Sequence, residues 1–232
     1  MSEDDWTELA PWWIVEVQTD PIYELDVLPL AVDLMEGSSG AVLDLGCGEG
    51  QMMRALAPRR VLGCDISQPL LRHAAAAGSV VRCRLPSLAW LRDGAVDATV
   101  SVLVLELFAE VRPIFEEVRR VTRRGGDFGI VVNHPAYTAA GSGPVVDLTD
   151  GEVLWRWGPY FDPGSSQEAA GEAAVTFHHR TMAELLTVAA QTGWRLERLV
   201  EHRLSQNALA KLPWLKGHEH FPLFLGARWS AD

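Results

Sequence analysis

The chain has 232 residues, 48% of them hydrophobic, and a formal net charge of −11. That length suits one domain of moderate size, or one domain with an insertion. The acidic balance argues against a nucleic-acid or anionic-membrane surface, which would need clustered cations. No stretch has the uninterrupted apolar length of a membrane span, and the polar start MSEDDW does not read as a signal peptide.

In chain order, DWTELAPWWIVEV reads as a short amphipathic helical lid with Trp6, Trp12 and Trp13 turned inward. Continuous apolar runs at 41–45, 60–64, 80–83, 98–103 and 128–133 read as strands buried on both faces. Helical stretches lie between them at 51–56, 68–77 and 113–124. The last has Pro113 in its first turn, Glu116 and Glu117 early, and Arg119, Arg120, Arg123 and Arg124 late, with Gly125 as a stop. This charge order fits a helix dipole, so the arginines read as a solvated helix end rather than an anion site. Residues 134–175 are rich in Gly, Pro and aromatics without a long period, and are too long for an ordinary connection. A helix at 181–191 follows, with Thr181 and Glu184 as a capping box. Strands at 194–201 and 222–229, joined by a polar loop without a helix, should pair antiparallel.

The expected fold is therefore α/β: a doubly wound, seven-stranded, mostly parallel sheet with its last strand antiparallel and helices on both faces. One domain spans 1–232, divided into a lid (1–40), a core (41–133), a cap insertion (134–175) and a C-terminal helix with a strand pair (176–232). The three cysteines, Cys47, Cys64 and Cys83, lie in or beside apolar segments without a C-x-x-C pair, and read as buried residues of a reducing, cytoplasmic protein. No metal-ligand cluster is visible in the sequence.

The chemistry begins at VLDLGCGEGQ, residues 42–51. Gly46, Gly48 and Gly50 follow an apolar strand, but Gln51 stands where a dinucleotide fingerprint would place its third glycine. Asp44 and Glu49 flank the loop. A carboxylate beside a pyrophosphate would repel it by about 1–4 kcal/mol in partly solvated surroundings. The loop suits a ligand with an adenosine-like body and positive charge, such as S-adenosylmethionine. Asp65, in VLGCDIS, ends the second strand where such folds place a ribose-binding acid. It could instead cap the next helix, with Ser67 competing for that position.

VLDLGCGEG and VLGCDIS resemble the first two motifs of the class I S-adenosylmethionine-dependent methyltransferases. AVDATVSVLVLELF resembles their fourth-strand region, and EEVRRVTRRGGDFGIVV the helix, turn and fifth strand that follow. The resemblance covers residues 41–132. It implies that Gly46 and Gly48, with Cys47 between them, let the backbone approach the methionine part of the cofactor. Asp44 would lie near its ammonium and Asp65 would hold the ribose. Ile66 and Leu85 would cover the adenine, and Val102 would floor the sulfonium. Arg84 departs from the pattern, standing where family members often carry an acid that touches the adenine amino group.

Methyl transfer from a sulfonium is an in-line displacement, so the protein mainly aligns the acceptor and excludes water. A general base matters only when the acceptor must lose a proton. Glu106, after the fourth strand, and His134, after the fifth, are the candidates by position, each also explicable as a turn or helix-start residue. Of His178 and His179, strand alternation would send only one toward a pocket. The aromatics Trp155, Trp157, Tyr160 and Phe161 would wall an acceptor site or fasten the insertion down. The acidic surface and aromatic cap favour a small-molecule O or N acceptor over nucleic acid or a membrane. The alternatives are a non-catalytic S-adenosylmethionine-binding protein and a nucleotide-dependent oxidoreductase, the latter disfavoured by Asp44, Glu49 and Gln51.

Overall fold

The computed structural model describes residues 3–232; Met1 and Ser2 of the expected lid lie outside the described residues. The N-terminal part forms α1 (Glu3–Thr19), a π-helical turn (Tyr23–Val27) and α2 (Leu28–Leu34). The core follows as β1 (Val42–Leu45), α3 (Gln51–Ala55), β2 (Val61–Asp65), α4 (Gln68–Ala74), β3 (Ser79–Arg82), β4 (Val96–Val102), α5 (Arg112–Val121) and β5 (Thr122–Asn133). The insertion contains α6 (Pro135–Thr138) and two hairpins, β6 (Gly143–Val146) with β7 (Val153–Arg156) and β8 (Gly164–Ala170) with β9 (Ala173–His179). The chain closes with α7 (Met182–Gln191), β10 (Trp194–His202), α8 (Gln206–Lys211) and β11 (Phe224–Ala231).

The main sheet has seven strands in the order β10-β11-β5-β4-β1-β2-β3. β3, β2, β1, β4 and β5 run parallel, and β11 pairs antiparallel with both β5 and β10. The apolar runs are continuous because both faces are covered. On one face α2, α3 and α4 bury Leu34, Met53 and Leu71. On the other, α5 and α7 cover an aromatic cluster in which Phe115 and Phe128 lie 5.3 Å apart and Trp229 and Trp194 complete the packing. Truncating Phe128 to Ala would cost about 3–5 kcal/mol.

Three elements differ from the expectation. Helix α5 ends at Val121, not near Arg124, because Thr122 turns extended (φ −83°, ψ 130°) and pairs with Val96. Gly125 (φ +69°) therefore bends the start of β5 and does not stop a helix. The arginines bolt connections together: Arg120 ion-pairs with Glu117 and Asp93 and donates to the Leu88 and Leu91 carbonyls, and Arg123 pairs with Asp97. The loop between β10 and β11 holds α8, capped by Ser205, whose hydroxyl accepts from Ala208 N at 3.1 Å. Its six residues carry too little periodicity to be read from sequence, and the antiparallel pairing is unaffected. Finally, β9 crosses residue 175, so the hairpin continues to His179 before α7 begins.

Candidate active site

The parallel strands β1, β2 and β4 end at one edge of the sheet, where the glycine loop turns into α3. Gly46 (φ +73°) and Gly48 (φ +53°) both need left-handed backbone. A Cβ on Gly46 would stand 2.5 Å from Val104 Cγ2, and one on Gly48 3.3 Å from the Trp13 indole nitrogen. Asp65 braces this loop: Oδ2 accepts from Gly48 N at 2.9 Å and Oδ1 from Ser67 N at 2.8 Å. One carboxylate thus shapes both the loop and the entry to α4.

Over this edge lies a cavity of ≈ 190 Å³. Gly46, Gly48, Asp65, Ile66, Leu85 and Val102 line it, together with Arg84, which is exposed. Two expected residues do not reach its wall. Cys47 turns back into the core, where a Cβ on Gly63 would meet its Sγ at 2.7 Å. Asp44 is buried beneath the loop with Oδ2 unpartnered. Burial first, then the charges of Asp65 and Glu49, push its carboxyl up to about 8. Glu49 is itself buried, bonded to Arg54 at 2.8 Å and to the Trp13 indole. Burial and the Glu49 and Asp44 charges likewise raise the Tyr23 phenol.

The roof is α1. Trp6 and Trp13 line the cavity, and the Ser67 hydroxyl donates to the Trp6 carbonyl at 3.1 Å. Trp12 faces the insertion, 3.0 Å from where a Gly171 Cβ would stand. Leu9, Ala170 and Val175 pack beside it, with Trp6 and Phe177 against them. The floor is unusual. Val102, the last residue of β4, and Leu103 and Val104 just past it all line the cavity. Leu103 has φ +54°, the left-handed region that costs a branched side chain about 1–3 kcal/mol. Its N–H bonds the Val131 carbonyl at 2.8 Å, which holds the twist. Leu107 and Phe108 complete this wall.

His134 and Glu106, expected beside the acceptor, do not line this cavity. His134 is buried at the end of β5; Nδ1 accepts from Ala136 N at 3.1 Å, capping α6, and Nε2 meets Glu201 Oε1 at 3.0 Å. A neutral imidazole with its proton on Nε2 satisfies both bonds, and burial lowers its affinity for a second proton. The ring reaches over β11 to β10 and away from the cavity. Glu106 clamps the ends of β4 and β5, with Oε1 accepting from Asn133 N at 2.6 Å and Asn133 Nδ2 at 3.2 Å. Its Oε2 is unpartnered beside a separate space of ≈ 10 Å³, room for about one water, shared with His178 and Arg180. Arg180 donates to the Leu105 and Phe108 carbonyls. His179 is held between Thr138 Oγ1 and the Tyr160 carbonyl, at 2.9 and 2.8 Å.

Of the insertion, Phe177 lines the cavity. Trp155 packs between Tyr137 and Phe221, and Trp157 is largely exposed against Tyr160. Trp155 ties the cap to Phe221, and neither tryptophan lines the cavity. Tyr23, Leu103, Phe177 and Arg180 gave no signal in the sequence, because each owes its place to a distant partner or an irregular torsion.

The buried, unpartnered Asp44 oxygen and the tight glycine turn fit a cationic ligand and leave no anion cradle. Residues 43–130 match the family model described as a methyltransferase domain. The structure aligns with an S-adenosylmethionine-dependent methyltransferase from Mesorhizobium loti at a TM-score of 0.77 and 27% identity, covering 92% of this chain and 99% of that one. Residues 43–130 are a methyltransferase domain, and the chain carries the class I fold of its S-adenosylmethionine-dependent neighbours. Two further likenesses show the fold of this methyltransferase. A Listeria monocytogenes structure described with the same activity aligns at 0.71 and 23% identity, covering 93% and 99%. A chain from the complex between the Haloferax volcanii Trm112 methyltransferase activator and a methyltransferase aligns at 0.66 and 16%, covering 100% and 98%. No curated protein matches the methyltransferase chain. Its cofactor is S-adenosylmethionine. Among the described residues, no helix is long and apolar enough to cross a membrane.

Proposed function

We propose that this methyltransferase acts on a small-molecule O or N acceptor inside the roofed cavity, and that its cofactor and acceptor share that space. The observation that carries the reading is the roof: α1 lays Trp6 and Trp13 over the glycine loop, leaving a lined cavity rather than an open groove. An open groove would suit a nucleic acid or a protein chain; a walled one suits a molecule that can be enclosed. The cofactor supplies an activated methyl group on a sulfonium. Asp65 would hold the ribose, as well as the loop. Ile66 and Leu85 would sandwich the adenine, and Arg84, at that rim, has no acid to offer it. Gly46 and Gly48 would admit the methionine part, with Cys47 only shaping the turn from behind. Asp44 acts through its field from beneath the loop, stabilising positive charge without forming the wall. Val102 and Leu103 would floor the reacting centre and keep water out. His134 and Glu106 hold the frame on which α6 and the β4–β5 ends rest.

The four-part division of the chain follows the same logic, with lid and hairpin together enclosing what the core holds. The three unpaired cysteines, Cys47, Cys64 and Cys83, support a reducing, cytoplasmic setting. Calorimetric titration with S-adenosylmethionine, followed by mass-spectrometric assay of methyl transfer to hydroxyl- and nitrogen-bearing small molecules, tests the reading. Transfer confined to a macromolecular acceptor overturns it.

A further inference from the structure

We propose that the acceptor is an uncharged, planar aza-heteroaromatic molecule, methylated on a ring nitrogen whose lone pair is already free. The inference rests on the small-molecule reading above and narrows it, from the chemistry of the cavity wall.

That wall is apolar and partly aromatic: Trp6, Trp13, Leu103, Val104, Phe108 and Phe177. Among the described residues lining it there is no His, Glu, Lys, Tyr, Ser or Thr. Two thiols, Cys64 and Cys83, also line it and are hydrogen-bonded to each other, and the charged side chains are Asp65 and Arg84. Both Asp65 oxygens already accept backbone N–H bonds, and Arg84 is exposed. The two bases the sequence suggested, Glu106 and His134, do not line the cavity. An alcohol, which must lose a proton to attack, finds no base here.

The local field removes two more classes. Asp44, Glu49 and Asp65 crowd the loop, against the single guanidinium of Arg54 paired with Glu49. Cys47 and Tyr23, packed behind the loop, register this, whereas the Cys83 thiol in the wall is lowered by its hydrogen bond to Cys64. Burial raises Cys47 most, and Asp44, Asp65 and Glu49 add to the effect; Tyr23 behaves likewise. A substrate thiolate or phenolate would meet the same low dielectric and the same negative charges. An alkylamine would arrive protonated, with its lone pair occupied and a second cation to desolvate beside the sulfonium.

A neutral ring nitrogen avoids all three obstacles. Its lone pair forms the new N–C bond as the C–S bond breaks, and that electron pair stays on sulfur. No proton moves and no oxidant or reductant is needed. One positive charge passes from sulfur to the ring, so the carboxylates that favour it before transfer favour it after. The flat ring packs against Trp6, Trp13 and Phe177.

The test uses four size-matched probes with the full chain and saturating S-adenosylmethionine: quinoline, 2-naphthol, 2-naphthalenethiol and 2-naphthylmethylamine. Products are read by mass spectrometry, and cofactor affinity by calorimetry on the same preparation. The expected result is N-methylquinolinium, with kcat/KM at least about tenfold above the other probes and kcat flat from about pH 7 to about pH 9, because no enzyme base titrates. The Phe177→Ala variant should raise KM for quinoline by a larger factor than it weakens cofactor affinity. Preference for the naphthol, the thiol or the amine overturns the inference alone. So does cofactor binding without transfer to quinoline. Failure of the cofactor to bind overturns the small-molecule reading beneath it.

Discussion

Two buried acidic sites, a cluster of three carboxylates and a lone glutamate, sit at the same edge of the sheet, and they are built for opposite ends. Around the glycine loop, Asp44, Glu49 and Asp65 face one guanidinium, Asp44 keeps an oxygen without a partner, and ≈ 190 Å³ of cavity lies against them. Around the ends of β4 and β5, Glu106 also keeps an oxygen without a partner, but its other oxygen is clamped twice by Asn133, Arg180 balances its charge, and the space beside it is ≈ 10 Å³. Position at a strand end does not distinguish them. Surplus charge beside open space marks the place for a cation. Matched charge in a closed space marks a joint in the framework.

The sharpest way to break this contrast is Gly48→Val. Its side chain would need left-handed backbone and would push on the Trp13 indole, so calorimetry should show S-adenosylmethionine affinity falling more than about 100-fold, with circular dichroism unchanged. Normal binding would remove the loop from the site. Asp65→Ala comes next. Losing a hydrogen bond to a charged group costs about 1.5–3 kcal/mol, or roughly 10- to 150-fold in affinity by the same titration.

Acidity sharpens the contrast further. The Asp44 carboxyl is raised to about 8, so at neutral pH it is mostly protonated before the cationic cofactor arrives. Binding should release a proton, and affinity should rise by up to about tenfold per pH unit from about pH 6 to about pH 8, then level off. Asp44→Asn should flatten that slope; an unchanged slope would assign the proton elsewhere. The sign for stability is opposite. A raised carboxyl favours the ligand-free fold most below its unfolded value near 4, and that contribution is lost as pH climbs toward 8. Thermal melts of the ligand-free protein over that interval measure it.

The framework side should respond weakly in binding. His134→Ala should lower stability by about 1 kcal/mol, through the lost cap of α6 and the bond to Glu201, while cofactor affinity and kcat hold. A drop in kcat of about 100-fold or more, at unchanged affinity, would return His134 to catalysis. Smallest of all, Trp157→Ala should shift stability by less than about 0.5 kcal/mol, because the ring is 64% exposed.

Much of the architecture was legible because parallel strands buried on both faces must be apolar throughout, and the runs at β1, β2, β4 and β5 have few other solutions. The glycine loop and Asp65 could be read for a similar reason: local backbone demands write themselves into adjacent residues. What could not be read depended on distance. His134 looks like a base until Glu201, 67 positions away, takes its second nitrogen. Leu103 looks like an ordinary strand residue until the Val131 carbonyl holds it left-handed. Helix α8 is too short to show a period, and the end of α5 was set by a strand partner, Val96, rather than by Gly125.

The placement of α1 has a consequence for the order of events. One helix carries Trp6 and Trp13 over the glycine loop and Trp12 against the cap hairpin, so it cannot lift from one without loosening the other. Traffic through the cavity is therefore coupled. A lift of α1 that released a spent cofactor would also disturb the hairpin. Turnover would then be paced by the opening and closing of the lid, with the chemical step waiting on it.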